Sequence, residues 1–258
     1  MDLDGDKHLD IISGIYGGVV YFSKGNGKDF DKPVLLKDKA GKVINMGQYW
    51  SAKDKRFLFN DELEDQRQRE MLRQRRSQRE RLLKRPREPQ SGAERGFYPL
   101  AVDWDADGDF DIMMGGMAGG LVLRLNEGSS ESPIFATQDT PVKIAGNDFC
   151  MDKDRREVKP VCAAFADLDG DGLKDLICSN WLGTLNFYRN SGTATQPKFE
   201  EVQTIFKTPT NNEEIKADVP CNYMKVDVGD LNGDNKPDLI IGAKDKEDAG
   251  HLWVYYQK

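Results

Sequence analysis

The chain has 258 residues, of which 38% are hydrophobic, so it is long enough to bury a core. No apolar run approaches the roughly 18 residues of a membrane span, and no signal peptide is visible. The formal charge of −7 gives no reason to expect nucleic acid as a partner, and it does not indicate an acidic substrate either.

An aspartate-rich loop opens the chain and recurs three times, each time followed by an apolar run. We call residues 2–10, 103–111, 167–175 and 230–238 loops 1 to 4. Positions 1, 3, 5 and 9 of every loop carry Asp or Asn. These residues are Asp2, Asp4, Asp6 and Asp10 in loop 1, Asp103, Asp105, Asp107 and Asp111 in loop 2, Asp167, Asp169, Asp171 and Asp175 in loop 3, and Asp230, Asn232, Asp234 and Asp238 in loop 4.

Four carboxylates within nine residues would repel each other, so we expect a cation at the centre of each loop. Calcium fits best, because it accepts roughly six to eight hard oxygen ligands in a forgiving geometry, whereas magnesium demands a stricter octahedron. The sequence predicts up to four calcium ions, with loop 4 the weakest site because it has the fewest carboxylates. By analogy with other calcium loops, position 7 should add a backbone carbonyl, from His8, Asp109, Leu173 and Lys236.

An EF-hand begins with a similar pattern, but it requires a Glu at position 12 and a following helix. Position 12 is Ser13, Met114, Cys178 or Ile241 in the four loops. The residues after position 9, such as 239–241, have the composition of a strand. The EF-hand is therefore excluded in all four copies.

The distances between loops predict a repeated unit. The first aspartates of loops 2 and 3 are 64 residues apart, and those of loops 3 and 4 are 63 apart, which is typical of a propeller or array. In each unit one apolar segment precedes the loop, a second follows it and a third begins at a Gly. Pro133–Phe135 and Pro197–Phe199 mark a fourth segment. Four short strands per unit is typical of a propeller blade.

Loops 1 and 2 are 101 residues apart, which predicts an insertion at residues 53–96. Strong helix formers fill residues 61–88, with acids first and bases last, and Pro86 ends the segment. We expect a charged helix of about 20 residues on the outside of the propeller. Its cationic part, residues 67–87, leaves open a contact with an anionic partner, although such runs are more often solvated faces.

The pattern D-x-D-G-D-x-x-x-D, the hydrophobic–Gly stretch after it and endings such as residues 188–199 resemble FG-GAP/VCBS repeats. These repeats form integrin alpha-subunit propellers and occur in many secreted bacterial proteins. The resemblance covers nearly the whole chain outside the insertion, although Ala106 and Asn232 depart from the pattern. It implies an all-β propeller whose calcium loops join the first and second strands of each blade. The implied ligands are the side chains at positions 1, 3, 5 and 9.

We expect about four blades, with repeats near residues 1–52, 97–158, 159–219 and 220–258. The first repeat lacks a strand before loop 1, and the last one ends after its third strand. Two arrangements remain open. The chain is either part of a larger propeller, as the resemblance suggests, or a four-bladed ring closed by its terminal strands.

Catalysis finds little support in the sequence. Almost every clustered Asp is explained as a ligand, and neither His8 nor His251 has an obvious Ser or Cys nucleophile. Cys162 and Cys178 flank loop 3 and either form a disulfide or are buried as small hydrophobes. Tyr16, Tyr49, Trp50 and Trp181 either stack on sugars or, as the simpler interpretation, pack in the core.

The sequence therefore predicts a calcium-stabilised binding or adhesion scaffold with a protein or glycan ligand. The alternative is the propeller domain of a secreted polysaccharide-degrading enzyme. Millimolar calcium outside cells suits weak extracellular modules, so we expect an extracellular, periplasmic or cell-surface location.

Overall fold

The structure is a computed structural model that describes most of the chain. The described residues are 1–14, 19–45, 48–51, 56–59, 97–116, 120–149, 161–181, 183–199, 203–208, 220, 222–245 and 249–257. Within these ranges the regular structure is entirely β, as predicted, and no helix occurs. It follows that none of the described segments is a helix able to cross a membrane.

The strands form four main antiparallel sheets and two short ribbons, in chain order. We number the main sheets one to four. The first sheet contains β1 (Ile11–Gly14), β2 (Val20–Ser23) and β3 (Val34–Leu35), and the second β6 (Phe97–Val102), β7 (Asp111–Gly116), β8 (Leu121–Arg124) and β9 (Thr140–Pro141). The third contains β12 (Val161–Ala166), β13 (Asp175–Asn180), β14 (Thr184–Tyr188) and β15 (Gln203–Lys207), and the fourth β16 (Asn222–Gly229), β17 (Asp238–Lys244) and β18 (Gly250–Tyr255). The ribbons are β4 (Gln48–Ser51) with β5 (Arg56–Phe59) and β10 (Lys143–Ile144) with β11 (Asn147–Asp148).

Each strand of a main sheet pairs with the next one along the chain, as in an antiparallel meander. Loops 2, 3 and 4 close the hairpin between the first and second strands. The register places the residue before position 1 opposite the position-9 aspartate, as in Ala166↔Asp175 and Gly229↔Asp238. The predicted placement of the loops between two strands is therefore confirmed.

The second strands of the inner sheets lie deepest. All six residues of β13 are buried, as are Asp111 to Gly115 of β7. A strand that is covered on both faces has a nearly continuous apolar sequence. This burial explains why the residues after loops 2 and 3 are mostly apolar and do not alternate with polar ones. Gly115 marks a close approach of two sheets, because a Cβ at this residue would lie 2.1 Å from the backbone oxygen of Val161.

Three apolar cores join the four sheets in a row. The first core, between sheets one and two, includes Val20, Ile112 and Met114. The second lies between sheets two and three, and the third lies between sheets three and four. Strand contacts follow the same order: β1 meets β6, β6 and β7 meet β12, and β12 and β13 meet β16.

A closed propeller is not detected. In the part of the chain that the structure describes, no strand contact as extensive as those between neighbouring sheets joins sheet one to sheet four. The coarser prediction of an all-β array of four repeated sheets is confirmed, and the ring is not.

The predicted fourth strands are displaced along the chain. Phe135 and Phe199 lie outside the strands, and their side chains are buried. Phe135 forms an isolated antiparallel backbone bridge with Asn126, and Phe199 forms one with Asn190. The strands that complete sheets two and three are β9 and β15, which begin a few residues later. The Pro-x-Phe sequences therefore lie in the connection between the third and fourth strands of their own sheet, where Phe135 and Phe199 also bridge to Asp38 and Ile144 of the preceding unit.

The helical insertion is not supported. The predicted helix at 61–88 lies outside the described residues. The described residues 56–59 within the 53–96 insertion form a strand, β5, which pairs with β4 in the register Ser51↔Arg56 to Gln48↔Phe59. The start of the predicted insertion is therefore a strand paired with the residues before it.

The two cysteines beside loop 3 are free thiols. Cys162 lies opposite Ser179 in the sheet, and Cys178 lies opposite Ala163. Side chains one register step apart point to opposite faces of a sheet, so the two sulfur atoms face different cores. Burial raises the pKa of the Cys162 thiol to about 11, which leaves it an inert side chain at neutral pH.

Candidate metal-binding loops

The four loops share one backbone conformation. Position 4 and position 6 both have positive φ in every copy. Glycine tolerates this conformation without strain, whereas a side chain costs free energy there. Position 4 is Gly5, Ala106, Gly170 and Gly233, with φ of 71°, 55°, 76° and 79°, and position 6 is Lys7, Gly108, Gly172 and Asn235, with φ of 71°, 91°, 88° and 62°.

The tight backbone brings carboxylates together in three of the loops. One oxygen from each member of a group lies within 4.8 Å of the others. The groups are Asp2, Asp4 and Asp6, then Asp103, Asp105 and Asp107, and finally Asp167, Asp169 and Asp175. The carboxylates of loop 4, which is fully described, form no such group, and Asn232 stands at its position 3.

The position-5 aspartate has the same role in all four loops. Its Oδ1 accepts a hydrogen bond from the backbone N–H of position 7. The four donor–acceptor distances are 2.9 Å to Asp6, 3.0 Å to Asp107, 2.9 Å to Asp171 and 2.9 Å to Asp234. This bond orients the position-5 carboxylate and turns the backbone at position 7, where a carbonyl ligand is predicted.

The position-9 aspartate is a buried clamp on the backbone. Its Oδ2 accepts the N–H of position 2, at 2.8, 3.3, 3.1 and 2.9 Å in loops 1 to 4. Its Oδ1 accepts an N–H from the chain just beyond the third strand of sheets two to four, or just beyond the corresponding strand β2 of sheet one. These four bonds join Gly25 to Asp10 (2.8 Å), Asn126 to Asp111 (2.6 Å), Asn190 to Asp175 (2.8 Å) and Gln257 to Asp238 (3.0 Å).

The clamp was missed by the sequence interpretation, which assigned position 9 only as a ligand. Asp10, Asp111, Asp175 and Asp238 are 5%, 2%, 0% and 0% exposed. The available signal in the sequence was an Asp directly before an apolar run in every loop. A carboxylate at the start of a buried strand must accept hydrogen bonds from nearby donors. A ligand role of position 9 stays a prediction, and Asp175 is the member that lies within the carboxylate group of its loop.

Position 1 distinguishes loop 2 from the other loops. The carboxylates of Asp2, Asp167 and Asp230 each accept two or more backbone N–H groups of their own loop, at 2.7 to 3.2 Å. In contrast, Oδ1 of Asp103 is buried and has no hydrogen-bond partner among the described residues, and the same is true of Oδ1 of Asp4 in loop 1. Buried oxygens of this kind are costly unless something positive satisfies them.

The electrostatics of loop 2 also favour a cation. Burial raises the pKa of Asp111 to about 7. Burial together with the charges of Asp107 and Asp105 raises the pKa of Asp109 to about 6. In loop 1 the opposite occurs, because hydrogen bonds from Lys24 and from the His8 N–H hold the pKa of Asp6 below its usual value.

Among the described residues, lysine and arginine side chains pair with carboxylates of loops 1 and 3, whereas at loop 2 Lys174 Nζ meets only the backbone carbonyl of Asp103, at 3.4 Å. Nζ of Lys24 forms ion pairs with Asp4 and with Asp6, the latter at 2.8 Å. Arg189 pairs with Asp169 through Nε at 2.7 Å and with Asp171 through Nη2 at 2.9 Å. Both cations therefore lie on the position-3 and position-5 carboxylates of their own repeat.

The donor set fits calcium. The grouped ligand atoms are carboxylate oxygens, which are hard ligands, and neither Cys nor His belongs to any of the three groups. His8, at position 7 of loop 1, has an exposed side chain, so only its backbone suits the predicted ligand role. Asp109, in contrast, has a buried side chain, a feature that its position in the pattern did not predict.

A second cluster lies at the ends of the strands farthest from the loops. Trp181 Nε1 donates to the hydroxyl of Tyr98 at 3.1 Å, and the Trp181 ring lies 4.8 Å from the ring of Tyr223. Nζ of Lys225 is 4.6 Å from the centre of the Tyr98 ring, and Nζ of Lys244 is 4.8 Å from that of Tyr223. We call these five residues the aromatic–lysine cluster.

Tyr223 is the exposed member of this cluster. Its side chain is 45% exposed, and its φ of 57° is unusual for a bulky residue. The pairing of β16 with β17 shifts register between Asn222 and Lys225, and this irregularity turns the ring of Tyr223 toward solvent. Of the four aromatics that the sequence offered, Trp181 joins the cluster, whereas Tyr16 and the side chains of Tyr49 and Trp50 lie outside the described part.

His251 belongs to the same end of the fourth sheet. Its Nε2 lies 2.8 Å from Oδ2 of Asp245, and its ring meets Trp253 edge to face. This His–Asp contact was not predicted. It orients the imidazole, but an oriented imidazole alone performs no reaction.

Comparison with known families supports the interpretation of the repeats. A model of the FG-GAP-like repeat matches residues 167–241, which run from loop 3 through loop 4 into β17. No curated protein and no solved structure matches the chain significantly. The chain therefore carries an FG-GAP-like repeat at residues 167–241, and the resemblance seen in its sequence is confirmed.

Proposed function

We propose that the protein is a calcium-binding scaffold of the propeller type, in which calcium is structural. The observation that carries this proposal is that two buried carboxylate oxygens, Oδ1 of Asp4 and Oδ1 of Asp103, have no hydrogen-bond partner among the described residues. Each belongs to a group of three carboxylates on a tight loop. A divalent cation would satisfy these oxygens and cancel the repulsion between the groups.

The expected role of the ion follows from the position of the loops. Each loop joins the first and second strands of its sheet, or precedes the corresponding strand in the first sheet, so an ion bound there fixes the start of the hairpin. When free calcium exceeds the dissociation constant about tenfold, one site adds about 1.4 kcal/mol to the free energy of unfolding. Several loops together would then stabilise the protein by several kcal/mol.

Single ligand substitutions test the calcium sites. Asp167→Ala or Asp171→Ala should lower the midpoint of thermal unfolding in calcium by a few degrees and change it little in EDTA. The matched control is Asp31→Ala, because Asp31 is an exposed carboxylate outside the loops. An equal loss of stability in calcium and in EDTA would show that these residues act only through protein hydrogen bonds.

We place the scaffold outside the cytoplasm, at an extracellular, periplasmic or cell-surface site. Weak calcium loops are filled at the millimolar calcium of such compartments, with dissociation constants of order 10⁻⁴ to 10⁻³ M. Loops with one missing carboxylate, such as loop 4, would remain mostly empty at the submicromolar calcium typical of cytosol.

For the ligand we propose a carbohydrate, bound at the aromatic–lysine cluster. Exposed aromatic rings with a polar edge present an apolar face for a sugar ring together with a hydrogen-bonding group. Lys225 and Lys244 lie beside the rings of Tyr98 and Tyr223, so a sugar with a carboxylate group would find positive charge there. The cluster lies away from the loops, so ligand binding and calcium binding use different surfaces.

Binding measurements on oligosaccharides test this surface. Uronate-containing oligosaccharides should bind in the presence of calcium, and Tyr223→Ala should weaken binding at least tenfold without changing the unfolding midpoint. Tyr255→Ala is the matched control, because Tyr255 is as exposed as Tyr223 and lies at the loop end of the same sheet, opposite Leu239. Glycan binding that survives Tyr223→Ala, or a protein ligand that binds elsewhere, would refute the assignment of this surface.

A further inference from the structure

The second residue after the third strand of sheets two to four, or after the corresponding strand β2 of sheet one, occupies the same place in each repeat. The position-9 aspartate accepts a backbone N–H from Gly25, Asn126, Asn190 or Gln257, which makes these four residues structurally equivalent. We call the residue immediately before each of them the rim residue. The rim residues are Lys24, Leu125, Arg189 and Tyr256 in repeats 1 to 4.

Two rim residues are cations that lie on their own loop. Lys24 pairs with the carboxylates at positions 3 and 5 of loop 1, and Arg189 pairs with those at positions 3 and 5 of loop 3. The equivalence of the two contacts in separate repeats argues against a chance surface pair. In loop 2 the rim residue is Leu125, and no cationic side chain pairs with a loop 2 carboxylate among the described residues.

These ion pairs use the oxygens that the proposed calcium sites require. Calcium at loop 3 needs the carboxylates of Asp169 and Asp171, and Arg189 holds one oxygen of each. The side chains of Lys24 and Arg189 are 42% and 60% exposed, so both have room to swing into solvent when an ion enters. Each calcium ion that enters then displaces a lysine or arginine side chain from the carboxylates. Breaking these ion pairs makes the free energy of calcium binding less favourable.

We propose that the rim residue sets the calcium affinity of its loop, with Lys24 and Arg189 acting as resident competitors of calcium. The proposal rests on the proposed calcium function of the loops. It predicts that loop 2, which has an uncharged rim residue and a full set of carboxylates, fills at the lowest calcium concentration. Loops 1 and 3 fill later, and without calcium they remain neutralised by their own side chains.

Calcium titrations of rim variants test the proposal. Arg189→Leu and Lys24→Leu should each tighten one calcium site by about threefold to tenfold, the range expected when an exposed ion pair no longer competes. Leu125→Arg should weaken the tightest site by a similar factor. The titration uses the full chain and isothermal calorimetry, with calcium as the only ligand.

Controls separate competition from general charge effects. Lys28→Leu removes a positive charge four residues from Lys24 and should leave the affinities unchanged, since Lys28 is exposed and contacts no loop carboxylate among the described residues. Arg189→Lys should keep most of the competition. The gain in Arg189→Leu should shrink at high ionic strength, because salt screens exposed charges. Arg189→Gln repeats the test with a polar side chain if the leucine variant folds poorly.

The outcomes are distinguishable. If the wild-type chain binds no calcium, the proposed function fails. If it binds calcium and Arg189→Leu leaves the affinity unchanged or lowers it, the calcium loops stand and the competition is refuted.

Discussion

Several single residues distinguish loop 2 from the other three loops. Ala106 holds a φ of 55° at position 4, where the other loops have glycine, so position 4 costs conformational free energy in loop 2 only. Asp103 has a buried oxygen without a partner among the described residues, and Asp109 and Asp111 have raised pKa values. We expect loop 2 to depend on calcium more than its neighbours do.

A pH dependence follows from these raised pKa values. The folded protein without calcium keeps protons on Asp109 up to about pH 6 and on Asp111 up to about pH 7, whereas the ordinary value is 3.8. The stabilisation from this proton uptake is complete below about pH 4 and is lost as the pH rises through 6 and 7. Calcium requires the ionised forms, so the stabilisation by calcium should grow over the same interval.

Unfolding midpoints with calcium and with EDTA, measured between about pH 5 and pH 8, check this expectation. The difference between the two midpoints should increase with pH, and Asp109→Asn should flatten the lower part of the increase. A difference that is constant across this range would contradict the account of loop 2.

At the level of elements, the position-9 aspartate connects two parts of each sheet. It holds the start of the loop and the chain beyond the third strand, so three strands of the sheet share one buried carboxylate. The same pair of bonds recurs in all four repeats, including the first sheet, where loop 1 precedes β1. The repeat is therefore held by protein hydrogen bonds as well as by any ion.

The variant Asp238→Ala isolates this clamp. Asp238 is 0% exposed, and its removal leaves the N–H groups of Leu231 and Gln257 without their acceptor. We expect a loss of about 1 to 3 kcal/mol in the free energy of unfolding, because two partly buried N–H groups lose their acceptor and a fully buried unsatisfied donor costs about 1 to 3 kcal/mol.

The loss should be the same in calcium and in EDTA, since loop 4 forms no group of three carboxylates. Chemical denaturation under both conditions measures it, with Asp31→Ala again as the control. A loss that appears only in calcium would make Asp238 a ligand and not a clamp.

The sequence predicted the elements well where local signals define them. The spacing of Asp at positions 1, 3, 5 and 9 located every hairpin loop, and the apolar runs located the first three strands of each complete unit. The fourth strands were misplaced, because Phe135 and Phe199 are buried in connections and not in strands. The clamp bonds to the chain beyond the strand and the rim contacts join residues 15 to 20 positions apart, and no local pattern encodes them.

For the whole molecule, four sheets stack in chain order through three cores. The period of 63 to 64 residues predicted this array, because each unit must bury its apolar face against a neighbour. Closure of a ring depends instead on contacts between distant sheets, which a period does not determine. The described residues show no closure, and Leu252 and Val254 of the fourth sheet are exposed.

The charge of the whole molecule also depends on the ions. The formal charge is −7, and four calcium ions would more than cancel it. A calcium-free chain should therefore be more expanded and less stable at low ionic strength, where repulsion between like charges is least screened.

A thermal melt of the purified chain tests the central claim most directly, first in excess EDTA and then across a calcium titration, with magnesium as the control. The account predicts a midpoint that rises with calcium, saturates in the micromolar to millimolar range and responds much less to magnesium. A midpoint that ignores calcium, or responds equally to both ions, would contradict the assignment of the aspartate loops as structural calcium sites.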